Sequence, residues 1–134
     1  MRTWAPGSLL ALGAALAGCG ATPSSAGDFE GDQKAVADAI EEIQSAAQRR
    51  EADRLCRDLL SRRLRDGIAA GGTSCDSEVG KATEDADAYE LEVQKVNVTG
   101  TTASATVKGE AGDRDVTRTV RLVKEDGRWR VDAF

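Results

Sequence analysis

Near the middle of this chain the spacing of apolar residues changes from helical to alternating, and that change sets the class of fold. Between Asp32 and Arg50, the residues Val36, Ala39, Ile40, Ile43 and Ala47 recur at three- and four-residue intervals, while Asp38, Glu41, Glu42 and Gln48 fall opposite. That is one buried face of a long helix, with Asp32 at the position of a cap. A second helix begins near Asp53, carries Leu55, Cys56, Leu59, Leu60 and Leu64 as its stripe, and ends at Asp66-Gly67 and Gly71-Gly72. Residues 76–88 read as a short, weak helix. The runs 90–98, 102–108, 116–124 and 128–133 are β-branched or alternating and are separated by glycine-containing turns, so they predict four antiparallel strands. Glu125-Asp126-Gly127 is the clearest hairpin turn. In the first strand Tyr89, Leu91 and Val93 share one parity and Val96 and Val98 the other, which predicts a bulge near Gln94-Lys95. The last strand places Trp129, Val131 and Ala133 on one face. Helices followed by strands define an α+β domain, its N-terminal helices packed against a bent four-stranded antiparallel sheet.

The first thirty residues belong to another regime. Met1-Arg2 leads into an apolar run from Leu9 that closes on Leu16-Ala17-Gly18-Cys19. The run is shorter than the ~20 residues a spanning helix needs, and small residues precede the cysteine as they precede a processing site. This segment resembles the signal peptide and lipobox of bacterial lipoproteins. The resemblance implies a signal peptide at 1–18, lipid attachment at Cys19, and a lipidated, flexible linker over 19–31 rich in Gly, Ala, Ser, Thr and Pro. A protein held by two acyl chains stays on a membrane surface. The expected location is the extracytoplasmic face of the cell membrane, with the membrane itself as the first partner through Cys19.

One domain, residues 32–134, remains, and its length allows a modest single core. The whole chain carries a formal charge of −5, and residues 1–18 contribute only Arg2, so the acidic balance argues against a nucleic-acid partner. Once Cys19 is lipidated, Cys56 and Cys75 are the two thiols left, and an exported domain most simply pairs them. No His occurs in the chain. Two sulfurs alone do not build a tetrahedral zinc site, and a nucleophilic thiol would want an activating base, so neither a metal site nor a cofactor is expected.

The order of long helix, second helix with Cys56, Cys75 before a short helix, four strands and the Gly127-Arg128-Trp129-Arg130-Val131 ending is similar to the nuclear-transport-factor-2-like, cystatin-related cone fold. It most resembles the small secreted lipoproteins of high-GC Gram-positive bacteria that carry this domain. Asp53-Arg54-Leu55-Cys56-Arg57-Asp58-Leu59-Leu60-Ser61 and Leu122-Val123-Lys124-Glu125-Asp126 before that ending carry the likeness. The fold is silent on activity, because the same cone hosts isomerases, dehydratases, cyclases and many binding modules, and its interior can be an open pocket or a filled core. Enzymes of the fold use a buried carboxylate and an oxyanion donor. This chain has no His and one Tyr, Tyr89, and no catalytic residue is assigned. Tyr89 and Trp129 are the candidate pocket residues, with a core position the competing reading for both. The arginines Arg49, Arg50, Arg54, Arg57, Arg62, Arg63 and Arg65 read as a solvated helix face balanced by acids, with an anionic surface as the alternative. The expected function is a non-catalytic binding or interaction domain at the cell surface, taking an envelope protein or a small apolar ligand. The alternative is a small isomerase or hydro-lyase using the cone pocket.

Overall fold

The first apolar stripe becomes the inner face of α1 (Gly31–Gln48) in a computed structural model that describes residues 25–84, 90–111 and 113–134. Val36, Ala37, Ile40 and Ala46 on that face are almost wholly buried. Asp32 does not cap the helix. Glu30 holds the cap position without a side-chain bond, and Asp32 falls in the first turn, where it pairs with Lys124 at 3.7 Å. At the other end Arg50 takes a left-handed conformation, φ 59°. The Arg50 N–H then reaches the Ala47 carbonyl at 3.0 Å and the Glu51 N–H reaches Ala46 at 2.9 Å. Both bonds satisfy carbonyls that a helix end leaves open.

The second helix departs from expectation. Instead of running unbroken through Leu64, α2 (Ala52–Arg54) widens into a π turn, Leu55–Leu59, and Leu60 is extended and bridges Val131 in parallel. A new helix, α3 (Arg62–Ala69), then begins. Ser61 causes the break. Its N–H donates to the Val131 carbonyl at 2.7 Å, and its hydroxyl accepts from the Leu64 N–H at 3.0 Å, capping α3. The extra residue in the π turn brings Leu55, Cys56, Leu59 and Leu60 all into the buried interior. Next comes α4 (Cys75–Ala82), capped by the Ser74 hydroxyl and shorter than the expected 76–88, of which residues 85–88 lie outside the described residues.

Four strands follow where alternation predicts them: β1 (Leu91–Thr99), β2 (Thr102–Ala111), β3 (Arg114–Glu125) and β4 (Arg128–Ala133). They form one antiparallel sheet in the order β1-β2-β3-β4, so the domain is α+β as its sequence implies. The expected bulge is present, with Gln94 unpaired between Val93 and Lys95. Asp126 and Gly127 both adopt positive φ, 52° and 77°, the conformation a two-residue hairpin needs. A second bulge corrects the expected facing of β4. Leu122 pairs with Val131 and Arg121 with Ala133, so Asp132 is the extra residue and Ala133 no longer shares the register of Trp129 and Val131.

One face of the sheet packs on α1. Val93 and Val96 of β1, Ala103, Ala105 and Val107 of β2, Val120 and Leu122 of β3, and Trp129 and Val131 of β4 join the α1 face in one core. Each fully buried Val or Leu side chain contributes about 1.5–3 kcal/mol. Because β1 is an edge strand, its outer backbone groups need partners. Two α1 glutamines supply them: Gln33 donates to the Val96 carbonyl at 3.2 Å, and Gln44 accepts from the Leu91 N–H at 2.9 Å.

Candidate ligand-binding cleft

Beyond the C-terminal half of α1 the core stops being filled. An open cleft of about 800 Å³ lies there. Ile43, Gln44 and Ala47 of α1 line it, with Leu55 opening the π turn and Leu60 following it, Leu64 and Ile68 of α3, and Val79 and Ala82 of α4. Leu91 and Arg118 enter from the sheet, and Phe134 follows β4. Gly71, Thr73, Glu78 and Thr83 complete the described lining. Neither α3 nor α4 contains a buried residue. Their apolar side chains Leu64, Ile68 and Val79 are only partly covered and face the cleft.

Three attachments hold these two helices in place. Cys56 in the π turn and Cys75 at the start of α4 form a disulfide, with Cα atoms 6.1 Å apart. Asp132, raised by its bulge, accepts from the Ser61 hydroxyl at 2.6 Å and from the Arg63 guanidinium at 2.7–3.2 Å. Arg63 also donates to the Asp132 carbonyl at 2.7 Å. The Arg63 hydrogen bond, with Ser61 assisting, holds the Asp132 carboxyl below its ordinary range. Finally, the Arg62 N–H at the start of α3 donates to the Glu125 carboxylate at 2.8 Å.

The polar groups in the cleft lining are few and mostly engaged. The Thr83 hydroxyl donates to the Gly80 carbonyl at 3.1 Å, and the Gln44 carbonyl oxygen is spent on β1. Glu78 accepts from the Thr73 hydroxyl at 2.7 Å and lies 3.5 Å from the Lys81 ammonium, and these neighbours lower its pKa.

Of the residues singled out from the sequence, Cys56 and Cys75 are brought together, while Cys19 and Tyr89 lie outside the described residues. Trp129 does not line the cleft. It is 6% exposed in the core, at the hairpin end of β4, and the cleft opens at the other end, where Phe134 follows the strand. The Lys124 ammonium stands 5.7 Å from the Trp129 ring centre, and the buried indole N–H has no hydrogen-bond partner among the described residues. The arginine-rich segment is largely neutralised: Arg54 meets Glu51 and Glu42, Arg57 meets Asp53 and Asp58, Arg63 meets Asp132, and Arg49 lies 3.9 Å from Glu51. Among the described residues no group of His, Cys, Asp and Glu is placed to hold a metal ion.

Sequence reasoning missed Arg118, Leu64, Ile68 and Phe134 as cleft residues. The signal for Arg118 was available. It stands two residues from Val116 and from Val120, at the apolar parity of its strand.

The fold and cleft define an α+β domain with a half-open apolar interior. Residues 72–133 match the family described as "Putative lumazine-binding". Among solved structures, a de novo designed NTF2 fold protein aligns with a TM-score of 0.48 at 18% identity, covering 75% of this chain and 81% of the designed one. No curated protein matches the chain.

Proposed function

We propose that this chain is a lipid-anchored extracytoplasmic protein whose domain, residues 32–134, binds a small apolar ligand and does not transform it. The observation that carries the reading is the cleft of about 800 Å³, walled by two helices that bury none of their own residues. Its volume lies in the range of about 300–1,000 Å³ usual for small-molecule sites, and its lining is predominantly apolar with few polar groups, as such sites require. The description of the family matched by residues 72–133 supports small-ligand binding. Leu16-Ala17-Gly18-Cys19 after an apolar run supports the anchor.

Two experiments test the two halves of this reading. Whole-cell expression should yield a detergent-phase protein whose N-terminal peptide carries diacylglycerol on Cys19, and Cys19→Ser should abolish both properties. A processed, membrane-bound Cys19→Ser protein would overturn the anchor. For the cleft, an apolar dye such as Nile red should gain fluorescence with the parent chain and lose most of that gain with Leu64→Trp, which fills the cleft wall. An equal response from both chains would place apolar binding elsewhere.

A further inference from the structure

The cleft contains one charge that the fold does not use. Arg118 pairs across the sheet with Val107, and Val107 with Val93, so the three residues stand in one row on the face that meets α1, with the two valines buried and Arg118 exposed. Along β3 its same-face neighbours are Val116, Val120 and Leu122. Arg118 is itself exposed, so its guanidinium stands on the solvent side of the cleft while its row toward β1 is apolar. Among the described residues nothing pairs with it. Arg118 makes no ion pair or hydrogen bond among the described residues; Arg54, Arg57 and Arg63 meet carboxylates, and Arg65, Arg121 and Arg128, which like Arg118 meet none, do not line the cleft. The other charge lining the described cleft, Glu78, is already held by Thr73 and Lys81.

We infer that the cleft takes a monoanionic amphiphile, a medium- or long-chain carboxylic acid, with Arg118 binding the carboxylate and the apolar walls binding the chain. This rests on the ligand-binding reading above and names its ligand class. The planar guanidinium fork matches a carboxylate with two parallel hydrogen bonds. One free cation balances one negative charge. The apolar side chains of α3 and α4, left partly uncovered by the protein, then gain their cover from the alkyl chain.

Isothermal titration of the full chain carrying Cys19→Ser, purified without detergent, with decanoate and with decan-1-ol separates the two levels of the argument. Decanoate should bind about tenfold more tightly than the alcohol, the ratio expected from one partly solvated charge-assisted contact. Arg118→Gln should erase that ratio by weakening decanoate the more, Arg118→Lys should keep part of it, and Leu64→Trp should weaken both ligands. A melting midpoint for Arg118→Gln equal to the parent's excludes loss of fold as the cause. Equal binding of acid and alcohol by the parent, with Leu64→Trp still weakening both, overturns the anionic ligand class and leaves the apolar cleft standing. An acid preference that survives Arg118→Gln overturns the role of Arg118. No binding of either ligand overturns the cleft reading itself.

Discussion

The two ends of α1 look onto different interiors. Toward its N-terminal half, Val36 and Ile40 meet the sheet in a filled core whose members Leu122 and Val131 are essentially inaccessible. Toward its C-terminal half, Ile43 and Ala47 look across about 800 Å³ at helices held mainly by a disulfide, a carboxylate bulge and caps. The filled end is stabilised by removal of apolar area from water, and the open end by tethers that keep a cavity from collapsing. A small domain can retain binding space when covalent and polar attachments take over part of the work of packing.

The largest effect that tests this contrast belongs to the filled end. Leu122→Ala should cost about 2–5 kcal/mol in urea denaturation, since it leaves a cavity in a close-packed core. A loss as small as that of a surface change would mean the two ends are packed alike. Next in size is the tether. The disulfide spans 19 residues, and replacing both Cys56 and Cys75 with Ala should cost about 3 kcal/mol, chiefly by releasing the unfolded chain. Hydrogen exchange should then show α4 deprotected while β2 and β3 keep their protection. Uniform deprotection would show that the open end is not a separate unit.

A smaller effect is expected at the polar latch. Ser61→Ala removes the α3 cap and the bond to Asp132, for a loss of about 1–2 kcal/mol. Asp132 also makes the latch sensitive to pH. Its folded-state pKa lies below the ordinary 3.8, so its contribution is complete above that value and disappears as the pH falls through the folded-state pKa. Urea midpoints measured across this acid range should therefore drop more steeply for the parent than for Asp132→Asn. Parallel curves would remove Asp132 from the account. The smallest effect should come from Leu64→Ala, at under about 1 kcal/mol, because a half-covered residue facing a cleft leaves little new cavity. A loss approaching that of Leu122→Ala would mean that the cleft closes in solution.

Much of the filled end is legible in the sequence. The α1 stripe, the four strands, the Asp126-Gly127 hairpin and the bulge at Gln94 all follow from local periodicity and turn chemistry. The open end is less legible because its features are set by contacts distant in sequence. The leucines from Leu55 to Leu64 keep helical spacing across a break that is created by Ser61 meeting Val131, seventy residues away. The Asp132 bulge is likewise invisible in an alternating strand until Ser61 and Arg63 draw that residue aside. The cleft itself is an absence of packing, which no spacing rule records. Arg118, a charge between Val116 and Val120 at an apolar parity, is a sequence signal of it that periodicity alone passes over.

The π turn at Leu55–Leu59 sets a counting constraint on this stretch of chain. A π turn is an α-helix with one residue inserted, and removing any one of its residues would restore ordinary helical winding and rotate all that follows by about 100°. Ser61 would then swing off the Val131 carbonyl, and Cys56 would lose its alignment with Cys75. The segment from Cys56 to Cys75 should therefore accept many exchanges of one side chain for another while rejecting single-residue deletions at 55–59. Losses of length would be tolerated instead around Gly71-Gly72, between α3 and α4.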